Sequence, residues 1–165
     1  MSMAATTAGA FKAHIESLGL GLPVYRDGLP VIRWETRDGQ RTPVHASPPA
    51  IVVQDGISIT GDLSGDFGDD EHGDPTSIEL VQIDVFQVAR VQTTTQTTRN
   101  AEDPALIRRL RLALRGVGIA PYAPVRVYGH RVTDEQRWPI SDNVARHTFN
   151  VTVRLADRPL PTPTP

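Results

Sequence analysis

Cysteine is absent from the 165 residues. That excludes disulfides, thiolate nucleophiles and zinc sites built on sulfur, and it is compatible with assembly in a reducing cytoplasm. Lysine is nearly absent: of seventeen basic residues only Lys12 is lysine and the rest are arginine. Arginine codons follow base composition, and a planar guanidinium also pairs bidentately with carboxylates at desolvated interfaces, so this bias has two readings. An excess of positive charge is missing too. Nineteen acidic residues leave a net charge of −2, whereas a dedicated nucleic-acid binder is strongly basic. No window approaches the roughly 18 apolar residues that cross a bilayer, and Met1 to Leu18 lacks a basic start followed by an apolar stretch. A soluble, unexported protein is the expectation.

Catalytic signatures are equally sparse. There is no P-loop, no dinucleotide-binding glycine fingerprint and no G-x-S-x-G elbow; Gly61-Asp62-Leu63-Ser64-Gly65 misses the elbow by one position. A Ser-His-Asp site assembled by geometry stays formally open, since triads are recognised by arrangement rather than order.

What the chain does have is periodicity. In Ile78 to Val88, Val81, Ile83 and Val85 share one pleat face, while Ile78, Leu80, Phe86 and Val88 share the other with Gln82 and Asp84. A strand apolar on both sides wants cover on both, and the polar breaks suggest that the second face meets something wetter than a core, such as a partner subunit. The closing strand alternates as well: Phe149, Val151, Val153 and Leu155 inward, Arg146, Thr148, Asn150, Thr152 and Arg154 outward.

Helices are marked at two places. Phe11, Ile15 and Leu18 recur at helical spacing, predicting an amphipathic helix near Ala5 to Leu18 that stops at Gly19, Gly21 and Pro23. Asp103-Pro104 makes a helix start, with Asp as N-cap and Pro in first position. Leu106, Ile107, Leu110, Leu114 and Val117 then form the buried stripe, ending at Gly116 or Gly118. Arg108, Arg111 and Arg115 make a ridge on another face, with Arg109 beside it. Asp38-Gly39 between Val31 to Thr36 and Arg41 to His45 predicts a hairpin. Pro48-Pro49 enforces an extended connection into Ile51-Val52-Val53; with Ile57 to Thr60 this is either a second hairpin or one bulged strand. Val91 to Asn100 reads as a Thr- and Gln-rich connection, Val125 to Tyr128 as a strand, and Trp138 to Asn143 as a loop.

Gly61 to Asp74 carries Asp62, Asp66, Asp69, Asp70, Glu71 and Asp74 with no Lys or Arg and four glycines. Such a run cannot bury a core and reads as a self-repelling loop. Hard cations want carboxylate oxygens, so Asp69, Asp70, Glu71 and His72 could in principle serve a metal-dependent hydrolase; yet calcium-loop spacing is absent and no second His follows as in a zincin helix. An alternative is contact with the oppositely charged helix bearing Arg108, Arg109, Arg111 and Arg115 on a neighbouring subunit, although exposed ion pairs contribute little unless networked. His130 and His147 lie near strands that could pair. Trp34 and Trp138 sit in hairpin or loop context, where an aromatic either anchors a partner or forms a local lid. Pro159, Pro161, Pro163 and Pro165 enforce an extended tail, either a loose end or an arm over a neighbour.

The stretch Ile78 to Phe86 (IELVQIDVF), the connection to the Asp103-Pro104 helix, Val125 to Val132 and the strand His147 to Leu155 together resemble the tail terminator, or tail completion, family of long-tailed phages, the U-like minor tail proteins. The N-terminal helix and the segment AIVVQDGISI after Pro48-Pro49 are similar as well. Val31 to His45, the acidic loop and the proline tail look like additions to the usual plan. The resemblance implies a single α+β domain over residues 1–157, with a mixed, largely antiparallel sheet, two helices on one face and hairpin and loop extensions including the acidic insertion 61–74, followed by the Pro-rich tail 158–165. It implies a virion structural protein without cofactor or catalysis. A homohexameric ring would cap the head-proximal end of the tail tube, touching the major tail tube protein on one side and a head-completion or stopper protein on the other. DNA would pass the lumen without specific binding, and no membrane would be involved. A neck connector or stopper is the alternative expectation within the same assembly.

Overall fold

The computed structural model of the protein describes residues 6–55, 76–92, 98–115, 125–141 and 143–157. In chain order the elements are α1 (Thr7–Ser17), β1 (Val24–Arg26), β2 (Val31–Arg37), β3 (Gln40–His45), β4 (Ala50–Asp55), β5 (Thr76–Val88), β6 (Arg90–Gln92), β7 (Thr98–Asn100), α2 (Pro104–Arg115), β8 (Val125–Pro139) and β9 (Val144–Asp157). Among the described residues the strands form a five-stranded sheet in the order β1-β4-β5-β9-β8 and two ribbons, β2–β3 and β6–β7. β1 pairs with β4 in parallel, and the remaining neighbours are antiparallel. The fold is α+β, with a mixed, largely antiparallel sheet.

Register explains where the core lies. Val53, Ile83 and Phe149 stand side by side across β4, β5 and β9, with Ile51 beside Val85 and Val81 beside Val151 in flanking rows. Successive side chains alternate between faces, so all of these point the same way. They meet Phe11 and Ile15 of α1 and Leu106, Leu110 and Leu114 of α2 in one buried cluster, which puts both helices on one face. Each fully enclosed side chain of this size contributes about 1.5–3 kcal/mol relative to exposure.

Both helices are tied to that face by polar clamps at their N-termini. Thr6 caps α1, its hydroxyl accepting from the Gly9 amide at 3.1 Å. The same hydroxyl accepts from Arg26 Nη1 at 2.9 Å, while Arg26 Nη2 donates to Asp55 at 3.0 Å. The hydroxyl of Thr7 donates to Glu79. Carboxylates at a helix N-terminus oppose its partial positive charge, so Asp55 and Glu79 hold α1 against the sheet. Asp103 caps α2 as expected, accepting from the Ala105 amide at 2.9 Å and the Leu106 amide at 3.3 Å. The buried Gln87 side chain accepts from the Asp103 amide at 2.9 Å and donates to its carbonyl at 3.4 Å. That amide clamp sets where α2 lands on β5.

The hairpin at Asp38-Gly39 forms as expected. Both residues take positive φ, 50° and 79°, the requirement of the tight turn that twists with its strands.

Several readings need correction. Trp138 is not in a loop: β8 runs through Pro139. β8 is the sheet's outer strand, where backbone pairing with β9 can continue through a charged run without alternating apolar residues. Val91 to Asn100 is not merely a connection, since Arg90–Gln92 and Thr98–Asn100 pair as a ribbon. The strands of His130 and His147 do pair as expected, with β8 placing His130 opposite Val153 and Arg137 opposite His147. The question over Ile57 to Thr60, the acidic loop 61–74, the helix end at Gly116 to Gly118, Val117 and the proline tail lie outside the described residues.

The second sheet face differs from a plain wet surface. Asp84 is 2 % exposed. It accepts from Thr148 Oγ1 at 2.6 Å and from the Gln54 and Gln82 amides at 2.9 Å each, with Arg146 Nε 3.7 Å away. Thr148, expected to point outward, is itself buried. Cross-strand neighbours satisfy Asp84 and Thr148 laterally.

Candidate functional site

The β2–β3 ribbon is the most exposed part of the described molecule. Every residue of β2 is exposed, with Ile32 at 56 % and Trp34 at 55 %. The ribbon is rooted near β1 by the Ala46 amide donating to the Pro30 carbonyl at 2.8 Å, and by His45 Nδ1 donating to the Leu29 carbonyl at 2.9 Å. A bulge between Val31 and Arg33 shifts the register just above this root and increases the local twist. Trp34 stands opposite Pro43, and the Arg41 guanidinium lies over its ring, 5.3 Å from the centroid. The stacking holds the indole at a fixed orientation at a contribution of about 0.5–1 kcal/mol. Arg33 and Glu35 pair at 2.8 Å. The result is an arm: a two-stranded ribbon, a preset tryptophan, and no covering layer among the described residues.

On the body, the charged residues of α2 separate into two groups. Arg111 leaves the expected ridge and grips Glu135 of β8 with two guanidinium nitrogens, its Nε donating to Oε2 at 2.8 Å. His147 Nε2 lies 2.7 Å from the same carboxylate. An ionised carboxylate only accepts, so Nε2 carries the proton. The hydrogen bond from Arg111 holds the Glu135 carboxyl below the usual carboxylate range, against an opposing push from burial, and the carboxylate raises Arg111 in return. Beside it Arg137 donates to Glu102, Nε to Oε2 at 2.9 Å, which lowers Glu102 and raises Arg137 for the same reason.

The chemistry available to this cluster is that of a clamp. A general acid at neutral pH needs its carboxyl raised, and Glu135 and Glu102 are lowered. The pairs join the segment before α2 and the middle of α2 to β8, fastening the helix across the outer edge of the sheet. Outside the clamp lies a cleft of about 440 Å³ bordered by Arg111, Arg115, Arg131, Val132 and Asp134. Arg108, Arg109 and Arg115 are exposed and have no carboxylate partner among the described residues.

Of the residues singled out in the sequence, then, Trp34 lies on the arm, Trp138 near the end of β8 at the opposite edge of the sheet, and the four helix arginines divide between clamp and solvent. Asp62, Asp66, Asp69, Asp70, Glu71 and Asp74 lie outside the described residues, as does His72. Sequence reasoning missed Glu102, Glu135 and Arg137, and it set His147 beside His130 rather than Glu135; the one signal was a dense charge run in β8 opposite a histidine on the core face of β9. Among the described residues no group of three or more His, Asp or Glu side chains could hold a metal ion, and no helix is long and apolar enough to cross a membrane. No protein-family model matches the chain, and no curated protein is similar to it.

Proposed function

We propose that this chain is a structural assembly protein of the tail-terminator kind, a virion component whose copies join into a ring at the head-proximal end of a phage tail tube. The observation that carries the reading is the arm. An isolated two-stranded ribbon is marginal in water, and exposed aromatic and branched side chains on such an element mark an interaction surface. A body with a closed core and an arm reaching past it suits repeated addition of identical units.

A ring built from head-to-tail contacts has no free end in its own plane. Matching the tube on one side and not on the other, it stops the next layer of major tail tube protein from adding, and its far side is left for a head-completion or stopper protein. The near-neutral charge balance suits a lumen that DNA crosses without being held, because DNA affinity scales with the phosphates neutralised. Assembly would take place in the host cytoplasm.

The test is removal of the gene from its phage, with tails viewed by electron microscopy. Tails of uncontrolled length are expected. Tails of normal length left unattached to heads would instead assign the chain to the connector or stopper position, and fully joined particles would refute both.

A further inference from the structure

We infer that Trp34 of one copy seats in an apolar cleft on the next copy, at the corner where β5 ends and α2 begins. This rests on the assembly reading and names the receptor for the arm. The cleft has a volume of about 280 Å³ and is walled by Leu22, Pro49, Val88, Ala101 and Leu106, with the Gln87–Asp103 clamp at its polar side. A cavity of roughly 150 Å³ lined by aliphatic groups admits a benzene ring, so an indole fits here.

Charge complements shape. Arg41 travels with the Trp34 ring and has no carboxylate partner among the described residues. Asp103 is exposed at the cleft, with Oδ1 engaged by the first amides of α2 and Oδ2 turned to no donor among the described residues. Seating the indole brings the guanidinium to that carboxylate, a charge-assisted contact fixing the arm's orientation.

The occupant is a second copy rather than the chain's own arm. In the single chain Trp34 stands in the open at 55 % exposure. The Pro30–Ala46 hydrogen bond roots the ribbon, and Trp34 lies four residues beyond it, about 14 Å out at 3.4 Å per residue. Arm and cleft are different surfaces, so the contact is heterologous and propagates around a ring or along a filament.

Complementation of two defective surfaces tests this directly. Trp34→Ala removes the anchor and leaves the cleft; Ala101→Phe fills the cleft and leaves the anchor, with Val88→Lys as a second blocking variant. Circular dichroism establishes that each is folded. Sedimentation should show each variant alone with self-association weakened at least about thirtyfold, the scale of a single anchoring aromatic, and an equimolar mixture of Trp34→Ala with Ala101→Phe forming dimers that grow no further. A Trp138→Phe chain, reporting Trp34 alone, should shift its emission to the blue on assembly, and the blocking variants should abolish that shift. Assembly unchanged in the cleft variants, with or without the blue shift, overturns the receptor while leaving a ring in place. A wild-type chain that never associates overturns the receptor together with the assembly reading.

Discussion

The arm and the body are built from the same kinds of residue and treat them in opposite ways. In the body, apolar side chains from three strands and two helices close on each other, and two carboxylates are paired: Asp84 by Thr148 and two glutamines, Glu135 by Arg111 and His147. In the arm, Val31, Ile32 and Trp34 are exposed on a ribbon with no second layer among the described residues. The difference separates residues that hold the chain together from those left to hold something else.

The contrast is sharpest where effects are largest. Phe149→Ala should lower stability by about 3–5 kcal/mol, the usual cost of emptying an aromatic site in a closed core, seen as a reduced urea midpoint. Asp84→Ala comes next. It strands the buried Thr148 hydroxyl and takes the acceptor from two half-buried glutamine amides, at a cost of about 1–3 kcal/mol, measurable in the same titration; an unchanged midpoint would mean that the second face is open to solvent.

A smaller effect is expected for Glu135→Gln, about 1 kcal/mol for a partly exposed networked pair. Its pH dependence carries more information. Glu135 is lowered in the folded chain and ordinary in the unfolded one, so its contribution is complete above the ordinary carboxylate range and is lost as pH falls through the lowered value. The wild-type melting temperature should therefore drop faster than the variant's on acidification; parallel curves would show that the clamp is not formed in solution. At the bottom of the scale, Trp34→Ala should lower the stability of the dilute single chain by about 0.5 kcal/mol, the low end of its stacking with Arg41. Substantial destabilisation there would merge arm and body into one cooperative unit and break the comparison.

Legibility in the sequence followed the same division. The alternation of Phe149, Val151 and Val153, the stripe Leu106, Leu110 and Leu114, the Asp103 cap and the Asp38-Gly39 turn are local signals, and each appears in the fold. Long-range polar pairing was not legible. Arg111 and Glu135 stand 24 positions apart and meet only because β8 occupies the sheet edge. Asp84 and Gln82 read as signs of a wet face because sequence cannot show that Gln54 and Thr148 arrive from neighbouring strands. β8 looked short because its later residues are charged, a composition that protects an edge strand from adding further partners. The arm itself was readable as a hairpin, but its exposure could be known only once the other described elements had been placed.

The central claim is that identical copies join through this arm, and the most direct measurement is the mass of the full chain in solution across a wide concentration range. The account predicts growth to one limiting closed species, six times the 18.0 kDa of a single chain for the hexameric ring. A mass that stays at that of one chain at the highest concentration would contradict it.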